Sequence, residues 1–595
     1  MTPRVATPAA RPLDALRFTT GGPPQLTALV TDHLRLLGAR PEPVPAPPGA
    51  EGRVRLSGDG ATPVDARIRW APPGGELVDE ATVQAATGVM AVHGRRHGTP
   101  RGLAVDWVST ATGVLTVQGL LAALLARARG GTVERVTTRA DHAALLTVSQ
   151  YLAAAGATEA EAVEPAPGGP PFTSADGVRF ELETLDSGDW AAFWRALDAP
   201  ADAIRTGWLP FQFRYATGCA PFPPALHRTT RAHGFAAVRR AAATTGVDVC
   251  RLHTLAERAA EHDGAAPWAL TPLDAGRPHP LAPPAPAAAP ERPLAGLTVL
   301  EAGRRIQAPL AAHLLGLLGA DVVRIEPPGG DPLRGMPPTC AGTSARWLAL
   351  NRGKRAVRID IKDPADRARL RELAAGADVF LHNWAPGKAA QLGLDAPDLA
   401  RVNPALVYAY TGGWADRLAD APMGTDFMVQ ARTGVGEAAR PADEPPAPSL
   451  LTLLDVLGGL LGAEAVLAGL LLRERSGHGV RVDSSLLGAA DTLTAPALRR
   501  AAAGEAPRSP AGFRRPLRTA DGWVAPADAG AAAAARHDLG RLTTEAALAR
   551  LHAHGLGATR VTTDLTDPAH DPRLPGAISR DAHGAPTVVA PWSFA

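Results

Sequence analysis

The chain has 595 residues, of which 46% are hydrophobic, with 61 Lys and Arg residues against 59 Asp and Glu residues. This composition is typical of a globular protein, and the length is sufficient for two or more domains. The formal net charge of +2 excludes the strongly basic footprint of a nucleic-acid-binding protein.

The N-terminal segment MTPRVATPAARPLDALRF lacks an apolar core, so we do not expect a signal peptide. The most apolar stretch, residues 450–472, is interrupted by Asp455 and Glu464, which argues against a membrane span. Three cysteines without paired spacing predict neither a disulfide framework nor a metal site. A cytoplasmic location fits these features best.

The chain contains an internal duplication. Residues 13–39 align without a gap on residues 294–320, and residues 82–88 align on residues 428–434. We further pair Asp106 with Asp455, because each lies at or near the start of an apolar stretch with a helical pattern. Glu80 is paired with Asp426 in the same way. Residues 321–427 separate the matched blocks in the second copy, against residues 40–81 in the first. The longer insertion is therefore expected to serve a function that is performed only once.

We divide the chain into five regions on this basis. They are a truncated large domain (residues 1–165), its small domain (166–270), a Pro/Ala-rich linker (271–293), a complete large domain (294–511) and a second small domain (512–595). Within the first copy, the run HGRRHG at residues 93–98 is interpreted as a solvated loop, with anion binding as the alternative.

Strands and helices alternate through the second large domain. Residues 297–302, 321–326, 355–361, 377–381 and 405–410 have strand patterns, whereas residues 309–318 and 364–375 have helical patterns. This alternation predicts a parallel, doubly wound sheet. Ligands bind such sheets at the carboxyl ends of the strands, here residues 303–308, 327–331, 382–388 and 411–414.

Asp455 is the most informative polar residue, because it lies in the apolar run LLTLLDVLGGLLGAEAVLAGLLL. Burial should raise the pKa of its carboxyl group unless hydrogen bonds or a helix N-terminus stabilise the charge. One interpretation is a helix N-cap. The other is a carboxylate nucleophile facing Gly458 and Gly459, whose missing side chains would let a ligand approach.

Several ordered motifs make a family resemblance specific. They include LAGLTVLEAGRRIQAPLAAHLLGLLGADVVRIEPPGGDPLR, NRGKRAVRIDIK, ADVFLHNWAPG, NPALVYAYTGGW, DFMVQARTG, LLDVLGG and SGHGVRVDSSLLGAA. Together they resemble the family III CoA-transferases, which include formyl-CoA and carnitine-CoA transferases and α-methylacyl-CoA racemases. The match is dense over residues 294 to about 490 and weaker over residues 13–39 and 80–155.

The resemblance implies an α/β fold with two tandem copies arranged as an intramolecular pseudo-dimer. Each copy would have a Rossmann-like parallel-sheet large domain and a smaller α+β domain. It implies Asp455 as the catalytic nucleophile and no metal. The family's CoA-contacting positions correspond here to Arg304, Ile306, Gln307, Ile359, Lys362, Asn383 and Trp384.

The implied reaction moves coenzyme A between an acyl-CoA and a small carboxylic acid through an aspartyl anhydride and an aspartyl-CoA thioester. Coenzyme A is then a co-substrate, and no permanently bound cofactor, nucleic acid or membrane partner is expected. Further oligomerisation remains open. Two alternatives are an acyl-CoA isomerase or racemase on the same scaffold and an inactive CoA-binding protein. The racemase branch has a histidine where this chain has Thr425, which disfavours two-base racemisation.

Overall fold

A computed structural model describes residues 11–43, 49–58, 61–273 and 290–595. Most of the predicted linker, residues 274–289, lies outside the described residues. We call residues 11–273 the N-terminal copy and residues 290–595 the C-terminal copy. Whether the five predicted regions are separate domains stays a prediction.

The secondary structure of the N-terminal copy is mainly helical. Its strands are Arg17–Gly21, Arg40–Pro41, Gly52–Gly58, Ala61–Arg69, Arg135–Arg139, Phe172–Thr173, Arg179–Glu183, Asp248–Arg251 and Trp268–Pro272. Its helices are Pro24–Leu36, Glu80–Ala86, Val89–Gly94, Trp107–Ala128, Ala140–Thr147, Ser149–Ala155, Ser187–Ala196, Ala201–Thr217, Pro224–Ala232, Phe235–Ala243 and Leu255–Glu261.

The C-terminal copy begins with the predicted alternation of strands and helices. Its strands are Thr298–Ala302, Asp321–Glu326, Thr339–Cys340, Thr343–Ser344, Arg355–Arg358, Val379–His382, Val407–Gly412, Val480–Ser485, Leu517–Arg518, Trp523–Pro526, Ala558–Arg560, Ile578–Arg580, Pro586–Val588 and Trp592–Phe594. Its helices are Gln307–Leu317, Ala345–Asn351, Pro364–Ala375, Lys388–Gln391, Ala396–Ala400, Asp426–Arg432, Val435–Ala438, Leu453–Ser476, Leu486–Ala502, Ala531–Ala534 and Thr544–Ala553.

The α/β fold class is confirmed, and the predicted parallel sheet is present in the C-terminal copy. Six of its strands are parallel neighbours, in the spatial order 355–358, 321–326, 298–302, 379–382, 407–412 and 480–485. The N-terminal sheet is mixed instead. Its strand Gly52–Gly58 pairs antiparallel with Arg17–Gly21 on one side and with Ala61–Arg69 on the other. A hairpin therefore stands where the longer copy has helical crossovers.

Each copy donates its last strand to the sheet of the other copy. Trp268–Pro272 pairs antiparallel with Val480–Ser485 of the C-terminal sheet. Reciprocally, Trp592–Phe594 pairs antiparallel with Arg135–Arg139 of the N-terminal sheet. Both exchanged strands start at the tryptophan of an Ala-Pro-Trp sequence. The two copies are thus interlocked through backbone hydrogen bonds.

The centre of the protein is formed by two long apolar helices, Trp107–Ala128 and Leu453–Ser476, one from each copy. Both are long and apolar enough to cross a membrane by composition, but 94% of the most apolar window of each is buried within the protein. They pack against each other, and Gln118 Nε2 of one helix donates a hydrogen bond to the Leu460 carbonyl of the other at 2.7 Å. Their apolar character is that of core helices.

Candidate functional site

A cavity of about 860 Å³ opens at the carboxyl ends of the C-terminal sheet strands. Strands Thr298–Ala302 and Val379–His382 are direct neighbours, so the loops that follow them share one sheet edge. Arg304 and Asn383 join these loops reciprocally. The Arg304 amide donates to Asn383 Oδ1 at 2.8 Å, and Asn383 Nδ2 donates to the Arg304 carbonyl at 3.0 Å.

Six of the eight predicted site residues line this cavity. They are Arg304, Ile306, Gln307, Asn383, Trp384 and Asp455. Ile359 and Lys362 do not line it. Ile359 is 1% exposed and packs in the apolar cluster beneath the sheet edge, and Lys362 lies on the exposed loop after it. Ile361, which lies between these two residues in the sequence, and Lys388, the first residue of helix Lys388–Gln391, line the cavity instead.

Asp455 lies in the first turn of helix Leu453–Ser476, yet it does not cap that helix. The cap comes from Asp426 of another helix. Asp426 Oδ2 accepts hydrogen bonds from the backbone amides of Leu454 and Asp455, both at 2.7 Å. The N-cap interpretation of Asp455 is therefore wrong. Because a distant carboxylate satisfies the helix end, the Asp455 side chain is left free to face the cavity.

Burial and like charge shift the acidities of this carboxyl pair. Desolvation, and secondarily the neighbouring charge of Asp426, raise the pKa of Asp455 to about 8. Arg305 opposes this shift by favouring the charged form. Desolvation also raises the pKa of Asp426 to about 6, against the hydrogen bonds that it accepts from Asp455, Gln430 and Leu454. A carboxylate with a raised pKa is more basic and more nucleophilic than a solvated one.

Gly458 and Gly459 have a packing role rather than the expected ligand contact. A Cβ atom on Gly458 would lie 2.8 Å from Gln307 Nε2, and one on Gly459 would lie 2.9 Å from the Gln307 carbonyl oxygen. These glycines let helix Leu453–Ser476 approach helix Gln307–Leu317 closely. They thereby fix the cavity-lining Gln307 beside the first turn that carries Asp455.

The N-terminal copy supplies the opposite wall of the cavity. Glu183 and Arg214 form a buried ion pair at 2.9 Å, each side chain being about 5% exposed or less. Glu183 also accepts a hydrogen bond from Thr425 Oγ1 at 2.9 Å. Thr425, the residue at the position of the racemase histidine, is thus held by a carboxylate from the other copy. The site is complete only when both copies are folded together.

Aromatic side chains and the guanidinium of Arg305 complete the lining. Trp208, Phe211 and Tyr215 come from one helix of the N-terminal copy, Ala201–Thr217. The Arg305 guanidinium lies 5.8 Å from the centre of the Tyr215 ring. Arg305 and Thr452 have positive φ angles of 61° and 55°. Left-handed backbone is strained for such residues and concentrates at functional sites.

The corresponding helix end of the N-terminal copy differs in its key residue. The core helices start at Trp107 and Leu453, and Glu80 caps the first helix as Asp426 caps the second. Glu80 accepts from the amides of Val108 and Ser109 at 2.7 and 2.8 Å. Ser109 therefore stands in the place of Asp455, and its hydroxyl donates to Glu80 at 2.7 Å. Pairing Asp106 with Asp455 was wrong, because Asp106 corresponds to Thr452.

An arginine of the C-terminal copy occupies the region next to Asp106. Arg514 Nη2 donates to Asp106 Oδ1 at 2.7 Å and to Asp528 Oδ2 at 2.8 Å. Its Nη1 donates to the carbonyls of Leu103 and Val105 at 3.2 and 2.9 Å. The Arg514 side chain is 3% exposed. This helix end is therefore occupied by protein, whereas its counterpart at Asp455 opens into the large cavity.

Sequence reasoning missed the residues that the N-terminal copy contributes. Glu183, Arg214 and Tyr215 lie in a region without recognised motifs, and only the folding of one copy against the other brings them to Asp455. Arg305 lay beside a predicted contact and could have been noticed as a second consecutive arginine. Within the described residues, no cluster of three or more His, Cys, Asp or Glu side chains could hold a metal ion.

Comparison with known proteins agrees with this architecture. A sequence profile described as CoA-transferase family III matches residues 77–290 and 294–563. Succinyl-CoA:glutarate CoA-transferase of Mus musculus is 35% identical over 202 residues, which are 33% of this chain and 46% of that protein. Acetyl-CoA:oxalate CoA-transferase of Acetobacter aceti is 35% identical over 203 residues, which are 33% of this chain and 52% of that protein. The chain spans about half the length of these relatives.

The crystal structure of a CAIB/BAIF family protein from Brucella suis aligns with a TM-score of 0.45 and 27% sequence identity. The alignment covers 51% of this chain and 92% of that chain.

Proposed function

Because the chain belongs to CoA-transferase family III, we propose that it transfers coenzyme A from an acyl-CoA thioester to a carboxylic acid. The observation that carries the proposal is the position of Asp455. Its backbone amide is capped by Asp426, and its side chain lines a cavity of about 860 Å³. This volume lies in the range of protein pockets that bind cofactors and other small molecules. The named activities of the relatives from Mus musculus and Acetobacter aceti support the same chemistry.

The proposed reaction has four balanced steps, each a substitution at a carbonyl carbon. Asp455 Oδ attacks the acyl-CoA carbonyl and the carbon–sulfur bond breaks, which gives an aspartyl anhydride and CoA thiolate. The thiolate attacks the aspartyl carbonyl, so that the donor acid leaves and an aspartyl-CoA thioester remains. The acceptor carboxylate then attacks the aspartyl carbonyl and displaces the CoA thiolate, which gives a second aspartyl anhydride. The thiolate finally attacks the acceptor carbonyl of this anhydride, so that the new acyl-CoA forms and the Asp455 carboxylate leaves. Covalent catalysis thus divides one difficult exchange into easier ones.

The charges of the site support a carboxylate nucleophile. Asp455 must be ionised to attack, and its raised pKa makes the anion reactive once formed. Arg305 favours this anion and faces the same cavity. Thr425, the residue before Asp426, donates its hydroxyl to Glu183 of the Glu183–Arg214 pair, and a threonine hydroxyl is too weakly basic to act as a second base. This arrangement favours transfer over two-base racemisation.

We propose that coenzyme A binds along the edge formed by the loops after strands Thr298–Ala302 and Val379–His382. Arg304 and Lys388 would interact with phosphate groups, and Trp384 provides an aromatic surface for the nucleotide. Ile359 and Lys362 lie outside the cavity lining, so we propose that they contact coenzyme A only where it extends beyond the cavity. The two copies would form a pseudo-dimer with one active site. Its substrates would be an acyl-CoA and a small carboxylic acid, and the protein would act in the cytoplasm.

The test is covalent trapping of the enzyme. Incubation with acyl-CoA followed by peptide mass spectrometry should find CoA on the peptide that contains Asp455, and hydroxylamine should release it. Asp455→Asn should form no adduct, whereas the control variant Asp106→Asn, which makes the same chemical change at the other core helix, should form it normally. Failure of the wild-type protein to form an adduct or to exchange labelled acid with a broad panel of acyl-CoA donors would overturn the proposal.

A further inference from the structure

A second cleft, of about 460 Å³, lies between the two copies and shares no lining residue with the Asp455 cavity. It is lined by His97 and Arg101 of the N-terminal copy and by Glu444, Pro445 and Arg515 of the C-terminal copy. His97 belongs to the HGRRHG run, for which we expected a solvated loop. That expectation was wrong, because His93 in the same run is buried and contacts Ser449 Oγ at 2.8 Å.

One carboxylate in this cleft is shared by three arginines. Glu444 lies 3.3 Å from Arg440 Nη1, 3.5 Å from Arg515 Nη2 and 3.6 Å from Arg101 Nη1. Arg515 also pairs with Asp443 at 2.6 Å. A single glutamate cannot neutralise the remaining positive charge, and its three contacts are longer than a typical charged hydrogen bond.

The buried member of the cluster is incompletely paired. Arg440 is 1% exposed, and its Nη2 has no hydrogen-bond partner among the described residues. Its Nη1 donates to His97 Nε2 at 2.9 Å, so that nitrogen of His97 is unprotonated. Burial, followed by the charge of Arg96, lowers the pKa of Arg440 to about 9. Arg440 Nε donates to the Ala447 carbonyl at 2.9 Å, so the long ion pair with Glu444 and the unsatisfied Nη2 are what leave this buried cation poorly compensated. A buried cation with incomplete compensation is costly, and a nearby bound anion would relieve part of that cost.

We propose that this cleft is a binding site for a small multivalent oxyanion that carries phosphate or several carboxylate groups. Arg101 and Arg515 would contact the ligand from opposite copies, because both line the cleft and lie 3.6 and 3.5 Å from Glu444. Arg515 would keep its ion pair with Asp443 at the rim. Arg440 stabilises the ligand from beneath by its charge. Guanidinium groups suit both phosphate and carboxylate oxygens. The site is independent of the proposed CoA transfer, because it shares no residue with that cavity.

Calorimetry of the full chain with pyrophosphate and with citrate tests the proposal. Wild-type protein should bind at least one of them, and added salt should weaken binding. The double variant Arg101→Ala/Arg515→Ala should lower affinity by about tenfold or more. Glu444→Gln, which removes the competing carboxylate, should raise it. The control Arg355→Ala, an exposed arginine paired with Asp321 on the C-terminal sheet, should bind as wild type does.

The outcomes are distinct. Binding of pyrophosphate alone assigns a phosphate ligand, binding of citrate alone assigns a polycarboxylate, and binding of both assigns a general oxyanion site. The proposal is overturned if neither binds at about 10 mM, which corresponds to very weak affinity, or if the double variant binds as wild type does. If the double variant misfolds, the Glu444→Gln variant still tests the proposal. Its expected effect is a gain in affinity, which misfolding cannot produce.

Discussion

Both core helices are capped by a carboxylate from another helix, and they carry different side chains at the matching position of the first turn, Asp455 in one and Ser109 in the other. Asp426 caps the helix that carries Asp455, and Glu80 caps the helix that carries Ser109. In the C-terminal copy the free carboxyl group faces a large cavity, whereas in the N-terminal copy the serine hydroxyl turns back onto the capping glutamate. The capping scaffold is kept in both copies, and the group suited to nucleophilic attack stands in only one.

The N-terminal copy also contributes side chains to the cavity of the C-terminal copy. Its described residues contain no equivalent of the long segment that forms the proposed CoA-binding edge, but they supply Glu183, Arg214 and an aromatic wall to the cavity of the other copy. In return, Arg514 of the C-terminal copy fills the region beside Asp106. One site is open and composite, and the other is filled by protein.

The most severe test of this asymmetry is removal of the nucleophile. Asp455→Asn should lower kcat/KM for CoA transfer by about 1000-fold or more, because loss of a covalent nucleophile removes the pathway itself. Ser109→Ala, the matched change in the N-terminal copy, should leave kcat/KM within about twofold. Steady-state kinetics with the same acyl-CoA donor would decide. Equal losses in both variants would contradict the single-site interpretation.

A smaller effect should follow from removing either cap. Asp426→Ala and Glu80→Ala should each lower the free energy of unfolding by about 1–2 kcal/mol, as for other helix N-caps. Chemical denaturation would measure both losses.

Only Asp426→Ala should alter the pH dependence. The Asp455 carboxyl must lose its proton to attack, so kcat/KM of the wild-type protein should rise with pH toward a midpoint near 8 and fall on acidification. Without the Asp426 charge the pKa of Asp455 should fall, and the midpoint should move to lower pH. Kinetic pH profiles that move equally in Glu80→Ala would refute the pairing of the two carboxylates.

The smallest effect is expected at Asp106. Its side chain is 51% exposed, and Arg514 retains Asp528 and two backbone carbonyls when Asp106 is neutralised. Asp106→Asn should therefore change the free energy of unfolding by less than about 1 kcal/mol. Thermal melting would measure it. A loss of several kcal/mol would instead make Asp106 a structural requirement of the N-terminal copy.

Local patterns explain how much of the site could be predicted. The strands Thr298–Ala302 and Val379–His382 and the helix Pro364–Ala375 follow from periodicity and turn residues that act within one or two turns. The loops after those strands were expected to hold Arg304 and Asn383, and the structure brings both to the cavity. Asp455 was singled out because a carboxylate in an apolar run is costly unless it has a function or a partner.

The amino-acid sequence alone reveals the duplication, the α/β alternation of the C-terminal copy and the unusual position of Asp455 in an apolar run. Continuing the gapless pairing of residues 82–88 with residues 428–434 already places Ser109 opposite Asp455, and the capping hydrogen bonds agree. The tertiary structure was needed to show that Asp426 caps the helix and that Gly458 and Gly459 pack against Gln307. It also decided that each copy completes the sheet of the other. These contacts join residues that are far apart in the chain, and they depend on how both copies pack, which no local pattern encodes.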